Sequence, residues 1–217
     1  MPFDPPLSLG DYQISVIVTS PPWYENCYLV KHVPSGEQLV IDPGSDAERI
    51  LAQLAAGGGK CRAILLTHGH PDHIGAARRL QTELGIPCRA HADERPVIES
   101  AAEIARALMG MRLEAPACDW LADAPGLTLG GVPVGVIATP GHTPGGVCYA
   151  FGGFTLTGDT LFNHGIGRTD LPGGDYDQLA ASIEGLLAQS PDDTVMFSGH
   201  GPDWTAGQAR AWWRTMA

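Results

Sequence analysis

The stretch "LLTHGHPDHIG", residues 65–75, places His68, His70, Asp72 and His73 almost side by side in a chain with only eight histidines. Just before it, "CRAILLT" is a short apolar run of the kind that forms a buried strand. In an extended segment, His68 and His70 project to the same side. Pro71 disfavours helix at His70 and suits the first turn of a helix starting just after it. Asp72 and His73 therefore fall at a helix N-terminus, beside the loop that carries the first two imidazoles. An Asp in that place often only caps the helix. Three histidines around it favour ligation of a divalent transition metal by imidazole and carboxylate.

Partners for this cluster lie far along the chain. His142 sits in "ATPGHTPGG", Asp159 in "TLTGDTLF" and His200 in "MFSGHGP". Each follows an apolar strand and enters a glycine-bearing loop, where a rigid scaffold presents functional groups. A lone strand-end histidine is more often structural. Together with residues 68–73 the three make a set able to hold two metals.

The rest of the chain supplies a scaffold of strands and helices. "YQISVIV", "NCYLVKH" and "EQLVID" read as strands, followed by a helix over "DAERILAQLAA" with Asp46 as its N-cap. "HIGAARRLQTEL" reads as one helix closed by Gly85, "IPCRAHA" as a strand, and "DERPVIESAAEIARALMG" as a helix. Val97, Ala101, Ile104 and Leu108 form one stripe of that last helix. Residues 110 to 126 show no pattern. Strands return in "GVPVGVIATP", "GGVCYAF" and "GFTLTGD". A helix over "DYDQLAASIEGLLAQS" has a capping box of Asp175 and Gln178 and a core face of Leu179, Ile183 and Leu186. The strand "TVMFSG" and a helix from about Thr205 finish the chain. This order fits layers of sheet covered by helices, in a single domain over residues 1–217.

Composition narrows the functions. Apolar residues make up 44% of the 217, as in an ordinary globular protein. The formal net charge of −11 argues against nucleic-acid or anionic-membrane partners, which need basic patches. Cys27, Cys61, Cys88, Cys118 and Cys148 are scattered and odd in number, which fits reduced thiols in a cytoplasmic protein. The N-terminal "MPFDPPLSLG" has no signal-peptide pattern, and no apolar run approaches the ~20 residues that span a bilayer.

"THGHPDH", "TPGHTPGG", "GDTLF" and "GHGP", in this order, resemble the metallo-β-lactamase fold in its H-x-H-x-D-H form. The resemblance runs from "ENCYLV" and "VIDPG" to "GHGP" and implies an α/β architecture, the four-layer αββα sandwich, with the metal site at one edge of the sheets. By match to the family pattern, His68, His70 and His142 would hold one metal and Asp72, His73 and His200 a second, with Asp159 bridging. Two divalent ions ~3.5–4 Å apart can share a hydroxide whose pKa they lower. Asp72 would orient that hydroxide. Zinc is the default for this ligand set, and iron and manganese accept the same groups. Asp42, in "VIDPG", would support a ligating histidine by accepting its free ring N–H; a plain turn before Pro-Gly is the other reading. His32 and His91 fall outside the motifs.

Within the family, "GDTLFNHGIGRTDLPGGD" is similar to the glyoxalase II group (hydroxyacylglutathione hydrolases), in its short bacterial form. That implies hydrolysis of a small-molecule thioester such as S-lactoylglutathione. Arg168 falls where larger relatives carry a basic residue that meets glutathione, with an ion pair to Asp170 as the other reading, and His164 is a second substrate-contact candidate. The tail after "GHGP" offers Arg210 and Arg214 but no match to the C-terminal helical region of full-length glyoxalase II, so other thioesters, esters and lactones stand beside glutathione ones. The true β-lactamases of this fold usually lack the bridging Asp and are exported, which argues against antibiotic hydrolysis. Persulfide dioxygenases share the fold and use one iron, which His68, His142 and Asp159 would hold. A non-catalytic metal-binding protein is the remaining alternative. Neither the oligomeric state nor a role for Trp212 and Trp213 is legible.

Overall fold

β-Branched and aromatic residues build a first sheet along the N-terminal half of the computed structural model, which describes residues 5–122 and 126–216. Its strands are β1 (Leu7–Leu9), β2 (Tyr12–Thr19), β3 (Glu25–His32), β4 (Glu37–Ile41), β5 (Lys60–Leu65), β6 (Cys88–His91) and β7 (Cys118–Leu121), hydrogen-bonded in that order. β1 to β4 run antiparallel; β4 to β7 run parallel. The second sheet contains β8 (Gly126–Leu129), β9 (Val132–Ala138), β10 (Val147–Phe151), β11 (Phe154–Gly158), β14 (Val195–Ser198) and β15 (Trp204–Thr205), in the order β15-β14-β11-β10-β9-β8. A small hairpin, β12 (Leu161–Phe162) and β13 (Gly165–Ile166), stands apart.

Alternation of side chains puts each sheet between two apolar layers. Leu39 and Ile41 face the second sheet, whereas Val40 between them faces helices. Tyr12, Ile14 and Leu65 meet Tyr149, Leu156 and Phe197 in the inter-sheet core, with Phe154 edge-on to Tyr12 at 5.5 Å. On the outer face of the first sheet, α1 (Ala47–Gly57), α3 (Ala77–Leu84) and α4 (Arg95–Ile104) contribute Ile50, Leu80 and Ile98. Across the molecule, α5 (Tyr176–Gln189) and α6 (Ala206–Trp213) cover the second sheet through Leu179, Ile183, Leu186 and Ala209. Each fully buried aliphatic side chain stabilises the fold by about 1.5–3 kcal/mol relative to exposure. The layers are therefore α, β, β, α, as expected.

Several local expectations are corrected. The helix anticipated over residues 73–84 is two: α2 (Pro71–Ile74) and α3. It breaks because Ala76 N donates to Pro43 O at 2.9 Å instead of to a carbonyl in its own helix. Asp46 precedes α1 with φ 55° and ψ 50° and makes no side-chain cap bond, because left-handed backbone aims its carboxylate away. α4 is shorter than expected; residues 92–94 form a tight turn before it and Ala105–Met109 a wide π-type turn after it. Asp175 accepts from Gln178 N at 3.0 Å, but Gln178 returns to the Asp175 side chain rather than to its backbone. A full capping box appears instead at Thr205 and Gln208, opening α6. The patternless stretch contains β7, which completes the first sheet. There Cys118 lies opposite Cys88, Sγ atoms 3.9 Å apart, and all five cysteines are free. Trp212 and Trp213 pack partly buried against the core under α5 and α6.

Strand direction decides where the chemistry falls. β9, β11 and β14 run the same way, so His142, Asp159 and His200, which follow them, leave the second sheet at one edge. β4 and β5 are likewise parallel and release Asp42 and His68 together.

Candidate metal centre

The seven residues singled out by spacing and motif come together at that shared edge. His68, His70 and His142 form one group of donors, and Asp72, His73 and His200 a second; within each group the donor atoms lie within 4.8 Å of one another. Asp159 stands between the groups. Its Oδ1 is 3.2 Å from His73 Nε2, and its Oδ2 is 3.5 Å from His142 Nε2 and 3.6 Å from His200 Nε2. Glycines make the approach possible. Gly158, at φ 48°, and Gly199 precede Asp159 and His200; a Cβ on Gly158 would strike Thr67, and one on Gly199 would strike the Asp159 carboxylate.

Four rings are fixed through Nδ1, leaving Nε2 to face the centre. His142 Nδ1 donates to the Arg168 carbonyl at 2.7 Å and His200 Nδ1 to the Trp23 carbonyl at 3.0 Å. His73 Nδ1 donates to Asp42 Oδ2 at 3.1 Å. The Thr67 hydroxyl also donates to Asp42 Oδ2, at 2.5 Å, and so is left to accept from His68 Nδ1 at 3.1 Å. Asp42 thus supports one histidine of each group, the kind of outer contact that orients ligating imidazoles. The His70 ring stands edge-on to His68 and His142, with centroids 4.8 and 4.6 Å away.

The inward-facing atoms are chemically unfinished. His68 Nε2, His142 Nε2 and Asp159 Oδ1 are buried without a hydrogen-bond partner, a loss of about 1–3 kcal/mol each if nothing else meets them. His73 Nε2 and His200 Nε2 lie 3.3 Å apart. With both Nδ1 atoms donating elsewhere, these are two lone pairs in contact unless a proton or cation comes between them. Burial and the charge on His73 hold His68 well below the usual histidine range. Burial, then His142, pushes His70 down to about 3. Both rings therefore stay neutral and keep a lone pair to offer. Burial opposes charge on His73, but the carboxylates of Asp159 and Asp72 raise it well above its ordinary value. Burial also opposes charge on Asp159, and His73 nonetheless holds it well below the carboxylate range. The lone pairs of His68 and His70 beside the ionised Asp159 are donors for divalent cations, a cation would displace the proton that His73 holds, and the residues present fit two such ions.

Two contributors were not evident from the sequence. Glu94 is fully buried; its Oε2 accepts from Gly69 N at 2.7 Å and its Oε1 from Gly145 N at 2.9 Å. It ties the loop carrying His68 and His70 to the loop carrying His142. Trp23 positions His200 through its carbonyl and is among the residues that line the cavity. No sequence pattern announces either role, because both act through backbone atoms of distant segments.

The centre opens into a cavity of about 400 Å³ lined by Trp23, Asp72, His142, Asp159, Phe162 and Arg168 among others. Arg168 is at its border, but its guanidinium makes two 2.7 Å bonds to Asp170. His164 turns elsewhere: its ring packs 5.5 Å from that of Trp204, its Nδ1 meets Asn163, and it is absent from the cavity lining. His32 and His91 lie outside the centre, bonded to Ser35 and Asp93 N. No helix among the described residues is long and apolar enough to cross a membrane.

Comparison with known proteins agrees with this geometry. The family model of the Metallo-beta-lactamase superfamily matches residues 20–200. The hydroxyacylglutathione hydrolase GloC of Haemophilus influenzae is 35% identical over 196 residues, covering 86% of this chain and 90% of its own. Among solved structures, the BLEG-1 B3 metallo-beta-lactamase has a TM-score of 0.83 at 37% identity, covering 90% of this chain and 95% of its own. A di-iron-bound form of TTHA1623 has a TM-score of 0.79 at 39% identity, covering 88% and 94%. By fold, by matched sequence and by the chemistry at its sheet edge, the chain belongs to the metallo-beta-lactamase superfamily.

Proposed function

We propose that this single-domain protein is a cytoplasmic two-metal thioesterase of the glyoxalase II type, cleaving S-acylglutathione such as S-lactoylglutathione. The observation that carries the reading is the pair of donor groups joined by Asp159 at the floor of an open cavity. Likeness to GloC supports the substrate class, and five free thiols support the compartment. In this reading His68, His70 and His142 hold one ion, Asp72, His73 and His200 the other, and Asp159 both. Divalent ions bound there supply a water made acidic enough to ionise near neutral pH and a Lewis acid for the substrate carbonyl. Asp72, with Oδ2 3.5 Å from His200 Nε2, orients the attacking water by accepting its hydrogen. Trp23 and Phe162 exclude bulk water from the reacting carbonyl. A thiolate leaves without a strong general acid, and no further acid is required of the chain.

Two other reactions belong in the same test. One iron held by His68, His142 and Asp159 would serve persulfide oxidation, since Asp159 Oδ2 lies beside His142. The 37% identity to BLEG-1 removes the family-based ground for setting β-lactams aside. The protein should be purified without added metal, its ions counted, and S-lactoylglutathione cleavage measured beside O₂ uptake with glutathione persulfide and hydrolysis of a β-lactam. Two ions per chain with thioester turnover is the expected result. One iron with O₂ uptake would sink the proposal, and so would preferential β-lactam turnover.

A further inference from the structure

The stripe Val97, Ala101, Ile104 and Leu108 is only half used by the core. Val97 and Ala101 are buried, whereas Leu108 is 62% exposed. Helices usually turn an apolar stripe toward protein. Here Ile104 and Leu108 line the metal cavity and, with Val97, a second hollow of about 530 Å³. His70, Ile104, Leu108 and Leu171 border both spaces, so the second is an arm of the first and begins at a donor of the metal centre. Pro144, Leu171 and Pro172 form its other wall. Its one acidic lining residue among those described is Glu103, and neither lysine nor arginine lines it. The wide turn Ala105–Met109 carries Leu108 to this place, the sort of helix irregularity found at functional sites.

We propose that this arm binds the acyl chain of the substrate, so that the preferred thioesters carry an aliphatic or aromatic acyl group larger than lactoyl. The inference rests on the thioesterase reading given above. The thiol half of an S-acylglutathione carries two carboxylates, which an arm lined by Glu103 and by no lysine or arginine would leave unpaired. The acyl half is the part an apolar wall can recognise. The lactoyl hydroxyl, by contrast, finds few partners along it. Reach into the arm is governed by Ile104, Leu108 and Leu171, and the position where added bulk would close it is Ala107, which is exposed and lines it.

The metal-loaded protein should be assayed with S-acyl-N-acetylcysteamine thioesters from acetyl to octanoyl. Binding of the matching S-alkyl thioethers, which cannot be hydrolysed, should be followed by calorimetry. Burial of each methylene predicts a two- to four-fold rise in kcat/KM and in thioether affinity. In Ala107→Trp the octanoyl-to-acetyl ratio should fall toward one. Leu108→Ser, at an exposed position that spares the fold, should lower the ratio less. A flat or falling chain-length profile in both measurements would overturn the proposal, as would an unchanged slope in Ala107→Trp. Thioether affinity that climbs with length while no thioester is cleaved would keep the arm and remove the hydrolase reading. Cleavage without length dependence would do the reverse.

Discussion

At the scale of single residues, the centre is set by which nitrogen of each histidine is occupied. His73, His142 and His200 spend Nδ1 on a carboxylate or carbonyl, and His68 spends it on Thr67, so tautomer and ring direction are decided before any ion arrives. Arg168 shows how a single contact changes a residue's part. The family pattern offers it to a substrate carboxylate, yet Asp170 already occupies its guanidinium. That pair holds the Asp170 carboxyl down at about 2. A depressed folded-state pKa contributes stability above the unfolded value of ~3.9, and that contribution is lost as pH falls toward 2. Both groups are exposed, so the effect on folding is small. Carbon-detected NMR titration should place Asp170 near its lowered value in the free protein and return it to about 3.9 in Arg168→Ala. An Asp170 that already titrates normally would mean that Arg168 is free to bind substrate.

At the scale of elements, the strand-end positions of His68, His70, His142, Asp159 and His200 and the helix-start positions of Asp72 and His73 were legible, because rare ligand types recur just after apolar runs and beside Gly and Pro. Asp42 was legible as one of two readings, and its bonds to Thr67 and His73 favour the supporting one. What stayed hidden depends on contacts between segments distant in sequence. The break between α2 and α3 comes from Pro43, and β7 has too few residues to show an alternation. Glu94 read as an ordinary residue of a helix start. It is instead the acceptor for two amides 76 residues apart, Gly69 and Gly145. Burial raises its pKa, but the two N–H donors still need its oxygens. Glu94→Ala strands both, and urea unfolding of the metal-free protein should show a loss of about 2–5 kcal/mol. Glu94→Gln, which keeps one good acceptor, should lose roughly half as much. A loss under about 1 kcal/mol in the alanine variant would show that the two loops do not rely on this link.

At the scale of the whole molecule, each donor group draws on both sheets. His68 and His70 follow β5 while His142 follows β9; Asp72 and His73 lie in α2 while His200 follows β14. An ion at either position therefore ties one sheet to the other. An ion present at a hundred times its dissociation constant stabilises the folded state by about 2.7 kcal/mol, which for a chain of this length raises Tm by about 5–10 °C. Scanning calorimetry with and without a chelator should show that drop, reversed by readding zinc, iron or manganese. A Tm indifferent to chelation would argue against ligation across the sheets. The same division of donors bears on how the molecule is assembled. A partly folded chain with only one sheet formed offers each ion an incomplete set, so tight uptake waits for the sheets to dock. Metal capture thereby becomes an inspection step at the end of folding: only a chain whose two halves have found each other is able to take its ions and work.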